Sequence, residues 1–325
     1  MGGGRRMLRE PFTEKFYTYH SKYIENVLAL RQPQRESLEI FARLCDILTF
    51  SKEPNLGAEL EAVHALFPTL SSFERDFPSF CFALATGIGK TRLMGACIAY
   101  LRYEKGIKNF FVMAPNLTIY DKLKADLGNT SNPKYVFKGL DLFAKPPRII
   151  DGDNYADFRQ GTFGVNDVVI NVFNISKLNA ESKGKNGEPA RIKRLNEVLG
   201  TSYFEYLQSL PDLCIFMDES HHYHADKSFD VINDLKPILG VELTATPQIQ
   251  KGAKAVPFKN VVYEYSLAHA LKDERYVKVP AVFTRKDFRP EEYTPEQLDH
   301  EKLNDGLRIH EETKSHLEVY ARSND

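Results

Sequence analysis

Hydrophobic positions along the chain follow two different patterns. Over residues 13–70 they recur every three or four positions, first as Tyr19, Tyr23, Val27 and Leu30, then as Leu38, Phe41, Leu44, Ile47 and Leu48. That spacing predicts helices with one buried stripe. Pro33 suits the first turn of the second helix, where a missing N–H costs nothing. Residues 51–57 interrupt the pattern, and a third helix is expected up to Phe67. From residue 80 the apolar residues come instead in short unbroken runs, at 80–85, 109–114, 168–173, 213–217 and 240–243. Runs of that length predict strands covered on both faces, as in a parallel sheet. Shorter strands are expected at 135–137 and 148–150 and a late one at 277–284, with helices over 92–101, 118–127, 194–210 and 301–321. Residues 129–133 read as a turn cluster and 181–191 as an exposed loop. Strands alternating with helices, without internal repeats, predict an α/β fold whose chemistry lies at the carboxyl ends of the strands.

Composition narrows this reading only a little. A chain of 325 residues with 42% hydrophobic and 27% charged residues has the make-up of an ordinary soluble protein. No run approaches the roughly 18 apolar residues of a membrane span. The opening Met-Gly-Gly-Gly-Arg-Arg has no apolar segment behind its charges, so no secretory leader is expected. Cys45, Cys81, Cys97 and Cys214 are scattered in apolar contexts, which predicts reduced core thiols and a cytoplasmic protein. Net charge is −1, so any nucleic-acid binding must come from a local groove.

The chemistry is concentrated in residues 79–92, Ser-Phe-Cys-Phe-Ala-Leu-Ala-Thr-Gly-Ile-Gly-Lys-Thr-Arg. A buried strand runs into a glycine loop and then a helix. Gly87 and Gly89 let the backbone curl into a concavity, Lys90 adds a positive charge, and the helix N-terminus points its free N–H groups at the same place. This is a phosphate cradle, in which Thr91 can offer its hydroxyl to Mg²⁺. The full pattern has a glycine where this chain has Leu84, and a plain glycine turn between strand and helix is the alternative. Downstream, the most apolar strand ends on Asp218 and Glu219. A nucleotide's Mg²⁺ needs a hard oxygen partner, and hydrolysis needs a group to deprotonate water. His221, His222 and His224 with Asp226 lack the further ligand that a tetrahedral zinc site requires.

Ala85-Thr86-Gly87-Ile88-Gly89-Lys90-Thr91, Asp218-Glu219-Ser220-His221 and Thr244-Ala245-Thr246 resemble motifs I, II and III of superfamily 2 helicases and translocases, the DEAD/DEAH-like enzymes. The chain is more closely similar to the Res subunit of type III restriction enzymes. That likeness rests on Asn174-Ile175-Ser176-Lys177, Arg191-Ile192-Lys193-Arg194-Leu195, Tyr203-Phe204-Glu205-Tyr206-Leu207, the stretch 217–223 and the stretch 265–271. It covers about residues 76–320. The resemblance implies a RecA-like P-loop lobe with a mostly parallel sheet between helices. Residues 1–75 would be an N-terminal helical extension, 76–285 the ATP-binding lobe, and 286–325 a helical linker.

By the same resemblance, Thr86, Gly87, Ile88, Gly89, Lys90, Thr91 and Arg92 would bind ATP, with Gln34 reading adenine. Thr91 and Asp218 would ligate Mg²⁺, and Glu219 would be the catalytic base beside Lys90. His221, Thr244 and Thr246 would couple the nucleotide to nucleic acid. Asn116 and Thr118 in the motif Ia-like stretch, with Asn174, Ser176 and Lys177 in the motif Ib-like stretch, would grip a phosphodiester backbone; strand-to-helix caps are the alternative. The implied partners are DNA, a second RecA-like lobe and a methyltransferase subunit, with no membrane.

Nothing after Thr246 resembles motifs IV to VI. The second lobe and its arginines, worth about 10³–10⁵ in rate, are therefore expected to lie outside this chain, which would bind nucleotide but turn it over slowly. No nuclease constellation is visible. An RNA helicase lobe, or a nucleotide-binding scaffold that does not hydrolyse, fits the same motifs.

Overall fold

Successive residues of each unbroken apolar run are buried on opposite faces of one sheet, which is why these runs lack an alternating pattern. The structure is a computed structural model and describes residues 18–151, 167–174, 203–223, 226–251, 254–273, 275–277 and 289–323. Its strands are β1 (Ser79–Leu84), β2 (Asn109–Ala114), β3 (Arg148–Ile150), β4 (Val169–Asn174), β5 (Leu213–Asp218), β6 (Leu239–Thr244), β7 (Gln248–Lys251), β8 (Lys254–Pro257) and β9 (Val261–Tyr265). Seven of them form a sheet in the order β3-β4-β2-β5-β6-β1-β9, parallel at every pairing. β7 and β8 make a separate antiparallel hairpin.

The helices are α1 (Tyr19–Val27), α2 (Gln32–Ile47), α3 (Leu56–Leu66), α4 (Lys90–Lys105), α5 (Leu117–Gly128), α6 (Tyr203–Ser209), α7 (Asp226–Asp234), α8 (Leu267–Asp273) and α9 (Pro295–Ser323). On one face of the sheet, Phe82, Phe110, Val112 and Phe216 pack in a core with Ile24, Phe41, Leu93 and Tyr100 from α1, α2 and α4. On the other, Phe111, Met113, Ile215 and Met217 pack with Phe204, Leu207 and Ile232 from α6 and α7. The N-terminal helices therefore share the core of the sheet and have none of their own. Contacts divide the chain into compact units Met1–Lys278 and Val279–Asp325; the second contains α9.

One expected strand is not a strand. Residues 135–137 form turns, although Tyr135, Val136 and Phe137 are all buried. They plug the space beside α4 instead of pairing: Val136 N donates to Asp126 O (2.9 Å) and the Phe137 ring stacks on Phe143 at 4.2 Å. Gly95 makes room for this plug, since a Cβ there would meet Val136 at 2.7 Å. A three-residue apolar run reports burial and says nothing of a ladder partner. β7, β8, β9 and α8 were not expected from the pattern. The expected loop at 181–191 and most of the expected strand at 277–284 lie outside the described residues, as do 194–202 of the helix expected at 194–210. All four cysteines are buried and free. Among the described residues, no helix is long and apolar enough to cross a membrane.

Candidate functional site

β1 ends at Leu84, so the residue standing where the wider motif has glycine is fully buried in the sheet. The chain then turns through Gly87 (φ +89°) and Gly89 (φ +100°), in the left-handed region that glycine enters freely. Gly89 is glycine for a second reason: a Cβ would lie 2.6 Å from Gln34 Nε2. It caps α4, which begins at Lys90.

The loop is held from behind by α2. Gln34, 1% exposed, donates from Nε2 to the carbonyls of Ile88 (3.1 Å) and Gly89 (2.9 Å), and its Oε1 accepts from Arg31 N (2.8 Å). Arg31 donates to Gly87 O (2.7 Å) and lies over the Tyr276 ring at 5.4 Å. Three consecutive loop carbonyls are thus tied to α2 and the residue capping it. Gln34, expected to read a base, holds the loop through its Nε2 and the N-cap of α2 through its Oε1. Arg92 donates to Leu28 O (2.8 Å), fixing α4 against the end of α1.

The opposite wall comes from β5. Asp218 is its last residue, 6% exposed, and its Oδ1 has no hydrogen-bond partner among the described residues. Burial, and then the neighbouring Glu219 charge, push its carboxyl up to about 6, against the pull of Lys90 and Lys122. Glu219 follows at φ +51°, an uncommon conformation for a non-glycine residue and one associated with functional turns. The turn brings Glu219 Oε1 to 3.0 Å from Lys90 Nζ. Glu219 Oε2 lies 3.7 Å from His221 Nδ1, which is 3.1 Å from Thr244 Oγ1 and 3.4 Å from Thr246 Oγ1. The three residues expected to couple the site therefore form one chain of contacts running from Glu219 to the end of β6.

These groups line a cleft of about 850 Å³. Gln34, Gly87, Ile88, Gly89, Lys90, Thr91, Arg92, Asp218 and Glu219 all border it; Thr86 is exposed and does not. Sequence reasoning missed Leu28, Arg31, Lys122, Asp126 and Lys134, which also border it. Lys122 of α5 donates to Thr91 Oγ1 (3.3 Å). Its only sequence signal is the four-residue spacing to Asp126, a common surface pair. The Thr91 hydroxyl and the buried, unpartnered Asp218 oxygen are hard donors that suit Mg²⁺.

β2 and β4 are paired, with Ala114 opposite Asn174, so the two stretches expected to hold nucleic acid leave neighbouring strands. Asn116 caps α5, accepting from Ile119 N (2.9 Å), and both Asn116 and Thr118 are exposed. Asn174 is buried, 1% exposed, and does not share that surface. Ser176 and Lys177 lie outside the described residues.

Among solved structures, the chain is similar to the Sulfolobus solfataricus SWI2/SNF2 ATPase core in complex with dsDNA, with 16% identity over 74% of this chain and 35% of that one (TM-score 0.35). It is also similar to the type ISP restriction-modification enzyme LlaBIII bound to DNA (15% identity, 60% of this chain and 14% of that one, TM-score 0.38). A nuclease-deletion mutant of the type ISP enzyme LlaGI with a DNA substrate mimic gives 14% identity, 60% and 18% coverage, and a TM-score of 0.35. The chain spans about a third or less of each of these structures. No curated protein matches it significantly. The family model of the type III restriction enzyme Res subunit matches residues 22–249, a span that takes in both walls of the cleft from Leu28 to Glu219, and the chain belongs to that family.

Proposed function

We propose that this chain is the ATP-binding lobe of an ATP-dependent DNA translocase or helicase, and that a second lobe completes the catalytic site. The observation that carries the reading is the meeting of Lys90 and Glu219 at 3.0 Å beside a buried Asp218 oxygen without a partner. A phosphate-binding cation, a general base and a hard-metal ligand come together at the carboxyl ends of β1 and β5, which flank β6. DNA is the favoured track because the family is that of a restriction enzyme subunit.

In the mechanism, Lys90 releases Glu219 and binds the β- and γ-phosphates, which leaves the Glu219 carboxylate available. Thr91 and Asp218 would hold Mg²⁺, whose charge offsets that of the phosphates. Glu219 takes a proton from the attacking water as its oxygen bonds to the γ-phosphorus and the bond to the ADP oxygen breaks. ADP and phosphate are the products. Gln34 and Arg31 keep the loop carbonyls in place, so the cradle is set before the substrate arrives. His221, Thr244 and Thr246 carry the change at Glu219 toward the end of β6. Asn116 and Thr118, with Ser176 and Lys177, would contact the phosphodiester backbone, and a methyltransferase subunit is a further partner of the whole enzyme.

The test is titration calorimetry of ATP with Mg²⁺ on this chain and on Lys90→Ala. Micromolar binding, about 8 kcal/mol, that disappears in the variant is the expected result; equal binding by both sinks the reading. Turnover by the chain alone is expected to be slow, because a second lobe supplies the arginines. DNA-stimulated turnover without that lobe would overturn the need for it.

A further inference from the structure

Lys122 belongs to none of the motifs that define the nucleotide site, yet its ammonium touches the hydroxyl of Thr91, one of the two proposed metal ligands. It leaves the exposed side of α5 to donate to Thr91 Oγ1 at 3.3 Å, the hydroxyl expected to bind Mg²⁺. It is also one of two ammonium groups whose charge favours the ionised form of Asp218, the other expected metal ligand. The second group, Lys90, is engaged with Glu219. Lys122 is anchored from below by Asp126 Oδ2 at 3.5 Å. Asp126 is itself buried and held by Asn132 Nδ2 at 2.9 Å. The half-exposed Lys122 ammonium thus lies between Thr91 Oγ1 and Asp126 Oδ2, touching both.

We propose that Lys122 is a positioning residue that stands in for the divalent cation, holding the Thr91 hydroxyl in the empty site and meeting the triphosphate when nucleotide enters without metal. The physical ground is charge and geometry. Thr91 and Asp218 offer oxygens that need a cation between them, and an ammonium is the only positive group that contacts Thr91 among the described hydrogen bonds. With Mg²⁺ bound, Asp126 would remain as the partner of the Lys122 ammonium, so the metal-loaded site would depend on Lys122 less. The site is predisposed to nucleotide in two charge states, one loaded with metal and one with lysine. This rests on the nucleotide-binding reading above.

The experiment measures ATP affinity by calorimetry in Mg²⁺ and in EDTA for the wild-type chain, Lys122→Met, Lys122→Arg and Lys90→Ala. In EDTA, Lys122→Met is expected to lose about tenfold or more in affinity, while Lys122→Arg stays within about threefold of wild type. In Mg²⁺ the loss in Lys122→Met is expected to be at least about threefold smaller than in EDTA, and circular dichroism checks that the variant is folded. Equal losses in both conditions would make Lys122 an ordinary phosphate contact and overturn the proposal. So would wild-type binding that needs Mg²⁺ outright, or EDTA binding indifferent to Lys122. In each of those cases, Mg²⁺-ATP binding that is lost in Lys90→Ala leaves the nucleotide site standing. No binding by wild type in either condition sinks both.

Discussion

On β6, Glu242 lies in register with Met217 of β5, and the next residue along β5 is Asp218. The two acids are neighbours in the sheet, point to opposite faces, and are both buried. Glu242 Oε1 accepts from Ser79 Oγ (3.0 Å) and Asn260 Nδ2 (3.1 Å) and pairs with the buried Arg75 at 3.5 Å. Asp218 Oδ1 accepts no hydrogen bond from the described residues. A buried charge is tolerated when it is paired and hydrogen-bonded, so Glu242 is bound into the structure. Asp218 Oδ1 lacks such partners among the described residues, which suits the metal-ligand role proposed for it. Two buried carboxylates, each preceded by an apolar strand residue, thus differ in what surrounds them. Their partners differ, and so does their function.

The comparison breaks most sharply at Arg75. Arg75→Ala leaves the Glu242 charge buried without its cation, and a loss of about 3–5 kcal/mol is expected, measured by denaturant unfolding. A loss below about 1 kcal/mol would mean that the pair is not what holds Glu242.

Asp218→Asn is expected to act in the opposite direction. Because the folded protein raises this carboxyl to about 6, it binds the proton more tightly than the unfolded chain does. The stability this contributes below the unfolded value, near 3.8, is lost as pH rises through about 6. Asparagine cannot ionise, so the variant should match wild type near pH 4 and exceed it by on the order of 1–3 kcal/mol at pH 8. Unfolding curves at the two pH values check this, and a variant less stable than wild type at pH 8 would contradict it. The same variant is expected to lose Mg²⁺-dependent ATP affinity, a trade of stability for function.

The smallest effect sharpens the contrast. Ser79→Ala removes one donor from Glu242 while Arg75 and Asn260 remain, and should cost about 1.5 kcal/mol without changing ATP binding. A change in ATP affinity would show that the two ends of the sheet are linked.

Much of the site was legible in the chain, because its chemistry is local. Gly87, Gly89, Lys90 and Thr91 are consecutive or nearly so, and a loop that must turn through positive φ advertises itself by glycine. Asp218 and Glu219 were legible because a strand must end where the sheet presents its ligand edge. Gln34 was singled out, but its bonds to the loop were not foreseen. Its partners Ile88 and Gly89 are 54 and 55 positions away, and no periodicity reports which amide meets which carbonyl.

The sequence by itself determined the helical start, the strand runs, the phosphate loop and the acidic strand end, since each follows from period, glycine or charge within a few residues. Only the tertiary structure decided that residues 135–137 plug the space beside α4, that Arg31 and Lys122 border the cleft, and that Glu242 is satisfied where Asp218 is not. Those outcomes depend on which distant groups arrive beside a residue. Arg75, for example, reaches β5 across 142 positions to lie by Met217, and burial gives such an arrival its energetic weight while local pattern carries no record of it.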